Sequence, residues 1–154
     1  MCGIIGATCR LGDNKIDEML SCIVHRGPDE EGRYVNDNMP VQMGMRRLSI
    51  IDQEGGSQPI YNEDETVAVV FNGEIYNYRE LREKLAAAGH SFKTDCDTEV
   101  IVHAWEEYGT EMPRHLEGMF AFSICDETDE KIFLARDRLG IKPLYFSRPD
   151  GDLY

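Results

Sequence analysis

The segment Thr66-Val-Ala-Val-Val-Phe71 is apolar at every position after the first. A β-strand sends successive side chains to opposite faces, so a run without alternation needs cover on both sides. It is far too short to cross a bilayer. A chain of 154 residues holding such a strand must therefore stack layers above and below it.

The flanking sequence supplies the layers. Ile16, Met19, Leu20 and Ile23 recur at helical spacing and stop at Arg26-Gly27-Pro28-Asp29, which no helix crosses. Met1 to Cys9, Val41 to Met45 and Leu48 to Ile51 read as strands, the last leading into a loop at Gly55-Gly56. Asn72-Gly73 carries a tight-turn signal that ends the central strand. One helix follows, with Tyr78, Leu81, Leu85 and Ala88 as its apolar stripe. Asn77 serves as its cap, Glu80 and Lys84 stand one turn apart, and Gly89 stops it. A second shows Ile101, Ala104, Trp105 and Tyr108 on one face, with Asp97 at its start and Gly109 at its end. Met119 to Cys125 and Ile132 to Ala135 flank the acidic turn at 126–130 and make a hairpin. Strands joined as hairpins rather than alternating with helices give the class α+β. Pro143 to Phe146 reads as a strand, Asp150-Gly151 as a turn and Leu153-Tyr154 as the start of a returning strand. The chain therefore reads as one domain, incomplete at its C-terminus, taken from a longer protein.

The net charge is −13, the wrong sign for an extended nucleic-acid footprint or an anionic membrane surface. Strong acidity suits a high-salt habitat as well as an ordinary solvated surface. Cys2, Cys9, Cys22, Cys96 and Cys125 form no C-x-x-C pair, which fits a reducing, cytoplasmic compartment. His25, His90, His103 and His115 are scattered without ligand spacing, so no metal site is expected. The N-terminus has neither the basic region nor the long apolar stretch of a signal peptide.

Cysteine at position 2 is chemically suggestive. Initiator methionine is removed ahead of a small residue, and Cys2 then offers a thiol and an α-amine together. Their reference pKa values, about 8.5 and about 8, suit proton exchange near neutrality. Equally, Cys2 reads as a small apolar residue opening a strand.

Met1-Cys-Gly-Ile-Ile-Gly6 resembles the amino terminus of class II, N-terminal-nucleophile glutamine amidotransferases. His25-Arg-Gly-Pro-Asp29 with Gly32, Arg47-Leu-Ser-Ile50 and Phe71-Asn-Gly-Glu-Ile-Tyr-Asn77 resemble the glutamine-hydrolysing asparagine synthetase branch. So do Leu116-Glu-Gly-Met-Phe-Ala-Phe122 and Arg136-Asp-Arg-Leu-Gly-Ile-Lys-Pro-Leu-Tyr145. The segments follow in the family's order from Met1 to Tyr154. Met45 and Arg46 depart from the His and the small or charged residue that many relatives place before Arg47. The nearest other branches, glucosamine-phosphate synthases and amidophosphoribosyltransferases, lack the Asn-Gly-Glu-Ile-Tyr-Asn string.

The resemblance implies a four-layer αββα sandwich and glutamine hydrolysis through a γ-glutamyl thioester on Cys2. It assigns Asn72 and Gly73 to the oxyanion. Without it, the pair reads as a plain turn. Arg47 is given the glutamine α-carboxylate and Asp97 the α-ammonium, where the bare sequence shows a surface arginine and a helix cap. Leu48, Ser49, Ile50, Ile51, Asn72, Gly73 and Glu74 complete the substrate contacts. No cofactor is implied for this domain. ATP and Mg belong to a synthetase domain whose Ser-Gly-Gly-x-Asp-Ser loop is absent from these residues. L-glutamine, that synthetase domain and a second copy of the chain in a homodimer are the implied partners. A non-catalytic glutamine-binding module and an amidotransferase for a different acceptor are the competing functions.

Overall fold

The computed structural model describes residues 2–12, 14–48 and 56–154. Within them the chain forms β1 (Gly3–Ala7), α1 (Lys15–Cys22), β2 (Glu30–Val35), β3 (Gln42–Arg47), β4 (Ile60–Tyr61) and β5 (Val67–Ile75). It continues through α2 (Tyr78–Ala88), α3 (Glu99–Tyr108), β6 (Gly118–Asp126) and β7 (Lys131–Arg136). Two antiparallel sheets result, ordered β1-β3-β2 and β4-β5-β6-β7. α1 packs on β3, β1 and β3 pack on β5, and α3 packs on the far side of β4 and β5 with α2 against it. The order of layers is helix, sheet, sheet, helix, the α+β sandwich expected.

The central apolar run explains the stacking. Val67, Val69, Phe71 and Ile75 enter a core with Leu81 and Leu85 of α2 and Val100, Ile101, Ala104 and Trp105 of α3. Ala68 and Val70, on the opposite face of the same strand, pack with Met43, Met45, Tyr34 and Cys125 between the sheets. Both faces are covered, as the missing alternation requires. The buried Trp105 indole donates to Asp126 Oδ2 at 2.7 Å, satisfying its one polar atom. Both helix stops hold: Gly89 has φ +115° and Gly109 φ +52°. Lys84 meets Glu80 at 2.6 Å on the exposed side of α2.

Four local expectations change. Asn72-Gly73 is not a turn, because β5 runs on to Ile75 with Gly73 opposite Phe120 of β6. Glycine is required there for space: a Cβ would stand 2.1 Å from the Met119 carbonyl oxygen. Asp97 is not the cap of α3; Thr98 holds that position, and Asp97 accepts the Ile75 amide at 2.9 Å. Asn77 does precede α2, but its side chain donates to His115 O and accepts from the Glu117 amide, tying the helix start to the entry of β6. Residues 143–146 form no strand, although Ser147 and Tyr154 exchange backbone hydrogen bonds at 2.8 and 2.9 Å around a short 3₁₀ turn, Pro149–Gly151. β3 ends at Arg47, Leu48 lies outside it, and the rest of the segment from Leu48 to Ile51 lies outside the described residues.

Candidate active site

The site lies at one end of the space between the sheets. Cys2 stands just before β1, half-buried against the inter-sheet core, its thiol directed at Leu48 O at 3.9 Å. Its carbonyl accepts from Arg26 at 3.3 Å. Gly27 fixes this corner, since a Cβ there would meet the Arg46 carbonyl at 2.4 Å, closer than any side chain allows.

β5 contributes most. Its Asn72 and Glu74 follow Ala68 and Val70 on the face toward the other sheet, by the two-residue period of a strand. The ladder to β6 adds a second alternation. Tyr76 N–H donates to Glu117 O, so even-numbered residues of β5 bond to β6 and odd-numbered amides point away from it. Phe71 N–H donates to Gln58 Oε1 at 2.7 Å, and Ile75 N–H to Asp97 Oδ2 at 2.9 Å. Between them the Gly73 N–H opens onto the cavity that Gln58, Gly73 and Asp97 all line. β4, which would otherwise pair with it, reaches only Val69 and Ala68. Among the described residues nothing accepts from the Gly73 N–H, so the strand edge presents an amide donor there.

Arg47, at the end of β3, is 4% exposed and donates through Nη1 to Glu30 Oε2 at 2.8 Å, which fixes the guanidinium in the wall. Asp97 is buried just before α3. Burial raises its pKa above the ordinary carboxylate value and the nearby Glu74 adds to the rise, while the Ile75 amide and the Cys96 thiol oppose it. Burial likewise pushes the Cys96 thiol up to about 11, so it is a neutral donor to Asp97 Oδ1 and Thr98 Oγ1, at 3.5 and 3.3 Å.

The fold brings Cys2, Arg47, Leu48, Asn72, Gly73, Glu74 and Asp97 to the lining of one cavity of about 100 Å³. That volume admits a small polar molecule. Ser49, Ile50 and Ile51 lie outside the described residues. The lining also includes Gln58, Thr98, Met119 and Lys142, which sequence reasoning did not single out. Lys142 had a signal, for it stands inside the segment from Arg136 to Tyr145. There Asp137 accepts the amides of Phe120, Leu139, Ile141 and Lys142 and folds the loop inward. Burial works against the Asp137 charge, but those four N–H donors prevail and lower its pKa. Arg47 and Lys142 give the cavity positive groups, and Asp97 and Glu74 give it negative ones. Such a cavity suits a zwitterion.

The whole chain, residues 1–154, matches the model of the glutamine amidotransferase domain family. The chain belongs to that family. Among curated relatives of this amidotransferase domain is asparagine synthetase [glutamine-hydrolyzing] 1 of Bacillus subtilis (strain 168). It is 46% identical over 161 residues, covering 100% of this chain and 25% of the relative. Asparagine synthetase [glutamine-hydrolyzing] 2 of Arabidopsis thaliana is 45% identical over 150 residues, covering 94% and 25%. The chain spans about a quarter of the length of these relatives. Among solved structures, the glutamine phosphoribosylpyrophosphate amidotransferase of B. subtilis shares the fold with a TM-score of 0.78 at 20% identity, over 99% of this chain and 41% of that one. The allosteric regulatory enzyme of purine biosynthesis gives 0.79 at 22%, over the same shares.

Proposed function

We propose that the cavity hydrolyses the side-chain amide of L-glutamine, with Cys2 as nucleophile after loss of Met1. The Cys2 thiol gives its proton to the α-amine of the same residue, and sulfur attacks the amide carbon. The developing oxyanion takes hydrogen bonds from the Asn72 side chain and the Gly73 N–H. One such donor is worth about 3 kcal/mol in the transition state. The C–N bond breaks as the proton passes to the leaving nitrogen, which departs as ammonia. Water then attacks the γ-glutamyl thioester, with the amine as base, and releases glutamate and the thiol. Arg47 holds the α-carboxylate by its guanidinium fork, and Asp97, with Glu74 beside it, holds the α-ammonium.

The Gly73 amide, without an acceptor among the described residues, carries this reading. It sits beside Asn72 on a cavity that Cys2 also lines, where an oxyanion needs donors fixed before the reaction begins. In the parent protein the ammonia goes to an ATP-dependent synthetase that converts aspartate to asparagine, which the names of the relatives support. The five free cysteines suit a cytoplasmic setting, and among the described residues no helix is long and apolar enough to cross a membrane.

A chloromethyl ketone analogue of glutamine tests the assignment directly. Intact mass and peptide mapping should show one adduct, on Cys2, with Cys9, Cys22, Cys96 and Cys125 unmodified and glutamine protecting. An adduct on another cysteine, or labelling that glutamine does not slow, would overturn it.

A further inference from the structure

A second polar cluster lies on the helical side of the β4–β7 sheet, away from the Cys2 cavity lining. His103 of α3 is fully buried. Its Nδ1 lies 3.3 Å from Glu63 Oε2, in the β4–β5 turn, and 3.4 Å from Glu106 Oε2, one turn along α3. His90, just after α2, places Nδ1 3.5 Å from Glu63 Oε1 and 3.6 Å from Glu106 Oε2. One ligand atom from each of the four residues can be chosen so that all lie within 4.8 Å of one another.

The contact of His103 Nδ1 with Glu106 Oε2 is a long hydrogen bond at 3.4 Å, and all these separations exceed the about 2.7–2.9 Å of a charge-assisted one. The three contacts made by the Oε2 atoms, 3.3 Å from Glu63 to His103 and 3.4 and 3.6 Å from Glu106 to His103 and His90, lie near the edges of about 3.3–3.4 Å of a tetrahedron whose centre binds nitrogen and oxygen at about 2.0–2.1 Å. The same carboxylates make ordinary short bonds elsewhere. Glu63 Oε1 accepts the Ser91 amide at 2.8 Å and is also the oxygen near His90, and Glu106 Oε1 accepts Asn62 Nδ2 at 2.8 Å, which leaves Glu63 Oε2 facing His103 and Glu106 Oε2 facing both imidazoles. A carboxylate faces the second ring nitrogen of each imidazole, the side on which a metal-bound histidine takes its outer partner, at 3.8 Å rather than at hydrogen-bond distance. Glu99 Oε1 stands 3.8 Å from His103 Nε2, a buried atom with no hydrogen bond among the described residues. Glu107 Oε2 stands 3.8 Å from His90 Nε2.

Charge points the same way. Four carboxylates, Glu63, Glu99, Glu106 and Glu107, gather on two imidazoles, and among the described residues no Lys or Arg pairs with any of them. We propose that Glu63, His90, His103 and Glu106 form a tetrahedral site for a divalent cation of the zinc type. Two nitrogen and two carboxylate ligands suit that ion, and the set is closed, as in a structural rather than a catalytic site. The cation ties three separate segments together: the β4–β5 turn, the loop that follows α2, and α3. The proposal stands apart from the reading of Cys2.

Zinc chloride titrated into the chelator-stripped full chain tests it, with calorimetry for stoichiometry and thermal unfolding for stability. The site predicts one ion per chain and a rise in melting temperature. Cobalt in place of zinc should give a tetrahedral d–d spectrum without a thiolate charge-transfer band. The double variant Glu63→Gln/Glu106→Gln, altered at the two most accessible ligands, should keep its fold and lose at least about 10–100-fold in zinc affinity, the cost typical of disturbing even an outer partner. Absence of stoichiometric binding would overturn the site. So would a thiolate band, or zinc affinity unchanged in the double variant.

Discussion

The Cys2 cavity and the His103 cluster sit at different stations along one short helix and differ in how their polar groups are used. At the start of α3, Asp97 faces a space whose other groups are chosen for contrast: cations from Arg47 and Lys142, anions from Asp97 and Glu74, and two neutral donors on β5. Farther along α3, the groups are alike. Carboxylate and imidazole ligand atoms gather within 4.8 Å of one another. Opposed charges around an open cavity recognise a molecule with two charged ends. Converging acceptors recognise a single positive centre. The shared helix connects the two regions mechanically, because a cation held at His103 also fixes the element that positions Asp97.

Each expected effect separates the regions further. Asn72→Ala removes a proposed oxyanion donor and should lower kcat for glutamate release by about 10²–10³-fold, leaving zinc affinity unchanged in the same preparation. A smaller kcat loss, or a parallel loss of zinc binding, would break the distinction. Gly73→Ala drives a methyl toward the Met119 carbonyl 2.1 Å away. It should cost about 1–3 kcal/mol of stability, read as a lower midpoint in urea, because β5 and β6 must part. Arg47→Lys keeps the charge and loses the planar fork, so KM for glutamine should rise about tenfold, the equivalent of about 1.4 kcal/mol, with kcat changed much less.

The smallest effect is a pH dependence. The folded-state pKa of Asp97 is raised by burial, and its ionised form is the one that holds an ammonium group. KM for glutamine should therefore climb as pH falls through that raised value. For stability the sign reverses. A group whose pKa rises on folding contributes most below its unfolded value, and that contribution is lost as pH rises through its folded value. Asp97→Asn should flatten both profiles across this window, weakening glutamine binding at neutral pH without lowering the melting temperature there.

The layered fold was legible because its strongest signal, the two-sided run from Val67 to Phe71, is a local fact about strand geometry with a global consequence. The helices of Leu81–Leu85 and Ile101–Trp105 announced themselves by spacing and by their stopping glycines. β2 was not anticipated, since only Gly32 and Tyr34 alternate inward between exposed residues. Gly73 was misread as a turn residue because Asn-Gly looks the same in sequence whether glycine serves a positive φ or a close strand approach. Arg47 and Asp97 were named through resemblance alone; their burial is a tertiary property that no local pattern carries. The His103 cluster was invisible for a related reason. Glu63, His90 and Glu106 come from three segments, and ligand spacing along the chain reports only sites built within one or two of them.

Glutamate release by the wild-type chain and by Cys2→Ala, at saturating glutamine and with folding checked by circular dichroism, tests the central claim most directly. The account predicts a folded variant whose turnover falls by at least about 10³-fold. A folded Cys2→Ala protein that releases glutamate at the wild-type rate would contradict it.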